Sequence, residues 1–136
     1  MEVPEGLRII RLTDTGDARG SSFQTPLECL EFLGAVRDIH VATIGPGSVR
    51  GNHYHELRRE VICIFYTDQW SLHWDCGPDT AIRREAFSGS GAVVVEVEPQ
   101  ASHAVRNDGK SEIQMVGLSS IPFDSEKPDS FRRQVI

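Results

Sequence analysis

Lysine is almost missing from this chain: only Lys110 and Lys127 occur, and twelve arginines carry the rest of the positive charge. Acidic residues outnumber basic ones, 20 to 14, giving a formal net charge of -6. The basic stripe of a nucleic-acid binder is therefore not expected. No run approaches the roughly 20 apolar residues of a transmembrane helix, so no membrane partner is expected either. The three cysteines, Cys29, Cys63 and Cys76, form no C-x-x-C pair, which leaves zinc-ribbon and redox-motif readings without support. Cys63 sits in an apolar run and reads as a buried, inert thiol. The opening Met1-Glu2-Val3-Pro4-Glu5-Gly6 has no basic n-region and no apolar h-region. It does not read as a secretory signal, and the cytoplasm is the expected location.

Helical patterning is scarce as well. Pro26 to Leu33 is the one candidate, with Leu27, Leu30 and Leu33 on one side. Strand signals fill most of the remainder: Leu7 to Leu12, Val36 to Ile44, Glu60 to Tyr66, Trp70 to Trp74, Ala92 to Val97 and Glu112 to Leu118. Turn-forming stretches such as Asp14-Thr15-Gly16-Asp17 and Gly45-Pro46-Gly47-Ser48 separate them. Many short strands with little helix predict an all-β sandwich or small barrel. The 136 residues fit one domain, with residues 1–25 and 123–136 as N- and C-terminal arms. Val61-Ile62-Cys63-Ile64-Phe65 is apolar at every position, so both faces of this strand should be covered. One face lines the barrel; the N-terminal arm or a second subunit covers the other, and a homodimer is expected.

The stretch Gly47-Ser48-Val49-Arg50-Gly51-Asn52-His53-Tyr54-His55, continuing to Glu60, carries the chemistry. Side chains two apart on a strand point the same way, so His53 and His55 share a face. A hairpin through Glu56-Leu57-Arg58-Arg59 would return Glu60 beside them on the next strand. Two imidazoles and a carboxylate form a donor set that suits one divalent ion: zinc, iron, manganese, nickel or cobalt. His103, in a later turn after Pro99, completes the set. His-x-His alone is often ordinary surface or hydrogen-bonded structure; the added Glu60 and His103 favour a metal site. His40 reads as a structural residue on a sheet face, and nothing sets the direction of His73.

These spacings resemble the cupin superfamily. Gly47-x5-His53-x-His55-x4-Glu60 matches its first motif, and Gly91 … Pro99 … His103-x3-Asn107 is similar to its second. Thr67 stands where the first motif normally ends in glycine, and the second lacks its Pro-x-Gly. The resemblance implies a cupin fold, a double-stranded β-helix or jelly-roll barrel. A narrower likeness lies in Asp17-Ala18-Arg19-Gly20-Ser21-Ser22-Phe23, which resembles a segment of dTDP-4-dehydrorhamnose 3,5-epimerases. Arg50-Gly51-Asn52-His53-Tyr54-His55 and Phe123-Asp124-Ser125-Glu126-Lys127-Pro128-Asp129 resemble a closer family. It is the C-terminal cupin domain of the capsular-polysaccharide bifunctional UDP-sugar epimerase/reductase, here without a reductase domain. The likeness runs from about Asp17 to the C-terminus and implies a zinc-type site and C3 epimerisation of a nucleotide-linked 4-keto sugar.

A metal-polarised ketone acidifies the adjacent C–H, and a base then moves the proton. The resemblance implies His53 as base in metal-free relatives. Tyr54 and Tyr66 are candidate proton donors, against an ordinary packing role for each. Arg19, Arg50, Asn52 and Arg106 are candidate substrate contacts, the arginines suited to a diphosphate. Relatives tend to carry a lysine in the loop where Arg58 stands. Arginine keeps its proton, so Arg58 would anchor a phosphate or stabilise an enolate instead. The alternatives are another metal-dependent cupin enzyme such as a dioxygenase, a non-catalytic sugar-binding or small-molecule-binding cupin, and a metal-free sugar-nucleotide ketoisomerase. Fold and ligands alone do not separate them.

Overall fold

Ten strands and one short helix, described in a computed structural model over residues 6–136, form two facing antiparallel sheets. Residues 1–5 of the expected N-terminal arm, with the signal reading that depends on them, lie outside the described residues. The first sheet runs β1 (Leu7–Arg11), β7 (Gly91–Val97), β4 (Glu60–Tyr66), β9 (Ile113–Ser119) and β2 (Asp38–Ile44). The second runs β10 (Phe131–Arg132), β3 (Val49–Tyr54), β8 (His103–Asn107), β5 (Trp70–Trp74) and β6 (Arg83–Phe87). This is the expected jelly-roll barrel of cupin type. No helix among the described residues is long and apolar enough to cross a membrane.

Alternation along β4 explains how the barrel fills. Ile62, Ile64 and Tyr66 face inward and join Trp70, Leu72, Val93, Val95 and Val105 in the main core. Trp70 stacks on Phe87 with ring centroids 4.2 Å apart. The outward residues of β4 are covered by the chain's own N-terminal third. Val61 packs with Cys29 and Leu33 of α1 (Leu27–Leu33), Cys63 adjoins this cluster, and Phe23 meets Phe65 edge-on at 5.9 Å. The doubly apolar strand therefore needs no second subunit for its cover. Burying each such large side chain contributes roughly 1.5–3 kcal/mol.

Two expectations change. β3 and β4 do not pair as a hairpin: they belong to opposite sheets, and the loop between them crosses the barrel mouth. His103 is the first residue of a strand rather than part of a turn. The crossing brings Glu60 against the histidines as the hairpin was expected to do, but from the facing sheet.

Candidate metal centre

Strand β3 is irregular where it delivers its ligands. Its register against β8 shifts between Gly51 and His53, a β-bulge that re-aims the following side chains. Gly51 has φ +114, and a Cβ there would collide with the His103 carbonyl oxygen. Only glycine lets β3 approach β8 this closely. Asn52 follows in the left-handed region at φ +59, which asparagine tolerates better than most residues. With that geometry His53 stands opposite His103, their ring centroids 4.8 Å apart.

The potential ligand atoms of His53, His55, Glu60 and His103 all lie within 4.8 Å of one another. Hydrogen bonds behind two of the rings set their tautomers. His55 Nδ1 donates to the Asp129 carbonyl at 2.5 Å, and His103 Nδ1 donates to the Ala101 carbonyl at 3.1 Å. Each Nε2 then carries a lone pair toward the cluster, the state a metal ligand requires. His55 Nε2 and Glu60 Oε1 approach to 2.5 Å, yet both are buried without a hydrogen bond of acceptable geometry. Two acceptor atoms forced together and left unsatisfied are costly unless a shared cation or proton lies between them. The residues present therefore fit a divalent ion.

Protonation is consistent with that fit. Burial, with His103 and His55 adjacent, pushes His53 down to about 4, so its ring is neutral near pH 7. Burial alone would raise the Glu60 carboxyl, but His103 and His55 beside it override this and hold it below the usual range. Burial likewise opposes charge on His55, and the Glu60 carboxylate outweighs it, raising that ring. The raised His55 and lowered Glu60 favour a proton on the imidazole beside the carboxylate, and an ion held there would displace it.

The ligand loop is held from a distance. Asp129, in the C-terminal arm, accepts the backbone N–H of Glu56 at 2.9 Å, Leu57 at 3.1 Å and Arg58 at 3.0 Å. The same residue's carbonyl orients His55. On the other side, Gln100 takes φ +74 and donates its N–H to the His55 carbonyl at 2.7 Å. This tight turn docks the start of β8 against the ligand loop although the Pro-x-Gly of the family motif is missing. The polar C-terminal tail gave no sign of this role for Asp129.

The cluster forms part of the wall of a cavity of about 720 Å³, within the range of small-molecule sites. Its floor is apolar, built by Ile62, Ile64, Leu72, Val95, Val105 and Met115. Arg50 and Arg58 also line it. Arg50 Nε donates to the Thr43 carbonyl at 2.7 Å. Arg58 is 11% exposed, with Nε 3.8 Å from an Asp129 carboxylate oxygen and without a hydrogen-bond partner.

Five expected site residues do not line this cavity. Tyr54 faces away from the cluster, as period-2 alternation after His53 requires, and packs on Phe131 and under the Arg133 guanidinium. Tyr66 is buried against Trp70 and Phe87 in the core. Asn52 Oδ1 accepts the backbone N–H groups of Val135 and Ile136, so it anchors the tail. Arg19 is solvent-exposed and paired with Asp17, and Arg106 pairs with Asp108 at 2.6 Å. His73 is buried with Nε2 3.0 Å from the Ser71 hydroxyl. His40, expected as a structural residue on a sheet face, lines the cavity instead.

Comparison with solved structures finds this fold repeatedly. The capsular polysaccharide assembling protein CapF from Staphylococcus aureus is 23% identical, with a TM-score of 0.66. The match covers 91% of this chain and 34% of that one, so the chain spans about a third of CapF. The sugar 3,4-ketoisomerase QdtA from Thermoanaerobacterium thermosaccharolyticum, solved in complex with TDP, is 16% identical at a TM-score of 0.69. That match covers 96% of this chain and 90% of QdtA. A dTDP sugar isomerase from Desulfovibrio desulfuricans is 14% identical at a TM-score of 0.73, covering 96% of this chain and 85% of that one. No curated protein sequence matches significantly. Residues 15–131 match the model of one sequence family, and on that extent the chain belongs to the polysaccharide biosynthesis C-terminal domain family.

Proposed function

We propose that this protein binds a nucleotide-linked 4-keto sugar and moves the hydrogen beside its ketone, epimerising or isomerising the sugar at a divalent-metal site. The observation that carries this reading is the convergence of His53, His55, Glu60 and His103 on the wall of a small-molecule cavity. Family membership and the sugar-nucleotide isomerases among the structural neighbours support it. Zinc is the metal we favour, because a neutral imidazole set with one carboxylate suits it. A divalent ion held there would supply Lewis-acid polarisation of a bound carbonyl.

The chain's own residues supply the rest. Arg58, poised by Asp129 beside the ligand loop, offers a fixed positive charge to an enolate oxygen or a phosphate. Arg50, at the rim, is positioned to meet the diphosphate, where its fork favours two-point contact. The apolar floor keeps water from the reacting carbon and strengthens these charges. A sugar-nucleotide substrate also fits a cytoplasmic location. We include a homodimer in the proposal on grounds other than β4: Ile39 and Val41, on edge strand β2, are 62% and 71% exposed. An apolar edge of this kind favours pairing with another chain, here a second copy.

The test is solvent-deuterium exchange at the carbon next to the ketone, using metal-loaded protein with UDP- and dTDP-4-keto sugars. Exchange reports enolate formation even where the epimer equilibrium is unfavourable. Incorporation that disappears on metal removal is expected. Absence of exchange across all sugars would sink the reading, and oxygen uptake by iron-loaded protein would favour a dioxygenase.

A further inference from the structure

With Tyr54 and Tyr66 directed elsewhere, the proton-carrying groups that line the cavity outside the ligand cluster are Asp38 and His40 of β2 and Asp129, whose carboxylate is held by the loop N–H groups. We propose that His40 is the proton-transfer residue, its imidazole removing the sugar C–H proton across the gap above Gly117. This rests on the reading just given. Strand register places the side chain. On β2, His40 pairs with Gly117 of β9, and Ala42 pairs with Met115. On β4, Ile62 pairs with Gly117 and Ile64 with Met115. Ala42, Met115, Ile62 and Ile64 all line the cavity, and alternation along β2 gives His40 the same inward face; Ile39 borders the cavity too, while Val41 does not line it and is 71% exposed.

Gly117 explains why the two sides can communicate. It is not among the residues with positive φ, so no backbone constraint calls for glycine there. A Cβ at this position would begin 3.9 Å from Glu60 Oε2 and 4.0 Å from His40 Cβ. The missing side chain leaves a slot between the ligand cluster and His40. A sugar carbon seated over Gly117 would have the metal-binding residues on one side and the imidazole on the other. His40 is not part of the cluster whose ligand atoms converge, so it is free for another task.

The step balances without a further reactant. A His40 ring nitrogen forms the new N–H bond as the C–H bond beside the ketone breaks. That electron pair becomes the C=C bond of the enolate, and the carbonyl π pair moves onto oxygen. The His40 imidazolium then passes this proton to solvent. A solvent proton reaches the opposite face of the enolate carbon, the C=C pair forms the new C–H bond, and the oxygen pair restores the ketone with the centre inverted.

The experiment compares wild type, His40→Gln and His40→Asn, each loaded with zinc, for deuterium exchange, metal content and UDP binding. His40 is exposed on an edge strand, so both variants are expected to fold. Exchange should fall about 100-fold or more, the scale of a lost general base. Metal content and UDP affinity should stay unchanged. A second readout is independent of turnover: the His40 imidazole nitrogen resonances, assigned by their absence in the variants, should shift when the sugar nucleotide is added. Wild-type exchange with both variants within about threefold would overturn the role of His40 and leave the proposed function standing. Loss of metal in the variants would place His40 in the ligand shell and also overturn it. No exchange by wild type would sink the function, and this inference with it.

Discussion

The two ends of the chain both wrap the barrel, and they do opposite work. The N-terminal third contributes Phe23, Cys29 and Leu33, which cover the outer face of β4 through apolar contact. The C-terminal arm crosses the barrel mouth and makes polar, directional contacts. Asp129 holds the loop from Glu56 to Arg58, and Arg133 grips Asp75 through two bonds of 2.9 Å. Asp75 in turn accepts the Ser102 N–H at 2.8 Å, immediately before His103. Apolar cover is tolerant of small shifts, whereas a bound ion needs its ligands placed to a few tenths of an ångström. One arm thus serves the stability of the barrel and the other the geometry of the site.

This contrast can be broken by substitution. The largest effect is expected from His103→Ala, which should reduce bound metal from near-stoichiometric to a small fraction, measured by elemental analysis. A near-normal circular-dichroism spectrum should accompany it; unchanged metal content would remove His103 from the ligand set. Leu33→Ala should cost about 2–5 kcal/mol in urea unfolding, since it empties a well-packed site. Its metal affinity per folded molecule should not change, and a large loss would show that the N-terminal cover and the C-terminal arm are not separable. Asp129→Ala keeps the main-chain carbonyl that orients His55 but releases the three loop N–H groups its carboxylate holds, and should weaken metal binding about 10-fold, the low end of the effect of losing support behind a ligand. Its urea midpoint should move less than that of Leu33→Ala, and the reverse ranking would collapse the comparison. The smallest effect is expected from Val41→Glu. Sedimentation should change from about twice the 15.1 kDa chain mass to the monomer, with folding intact. A wild-type monomer at micromolar concentration would remove the homodimer.

Much of the barrel was legible because its central strands are apolar. β4 and β5 have the expected bounds, since Val61 to Phe65 and Trp70 to Trp74 leave little choice of state. β6 was missed: Arg83-Arg84-Glu85 reads as surface, and only Phe87 betrays its inward end. β8 was missed because His103-Ala104-Val105-Arg106-Asn107 has little β-branched or aromatic content and follows Pro99, so it reads as a turn, unlike the equally short but aromatic-bounded β5. The convergence of His53, His55 and Glu60 was readable from spacing, as local geometry fixes a His-x-His pair and the glutamate follows closely, and His103 joined them through the family motif. Tyr54 could have been excluded by the same alternation that paired His53 with His55. Asp129 could not be found that way. The segment Phe123 to Asp129 was marked by its family likeness, but nothing in it shows that Asp129 reaches back about seventy positions to the ligand loop. His40 was hidden for the same reason, because its inward aim depends on the register of β2 against β9.

The bond from His55 Nδ1 to the Asp129 carbonyl has a thermodynamic corollary. It would join capture of an ion by the cluster and docking of the tail in one coupled equilibrium, in which each strengthens the other by the same factor. Saturating metal should slow tryptic cleavage at Arg132 and Arg133. Trimming the tail should raise the metal dissociation constant in proportion. A segment that resembles a loose end would then be a latch on an ion held by the cluster, and its displacement would set how long that ion stays.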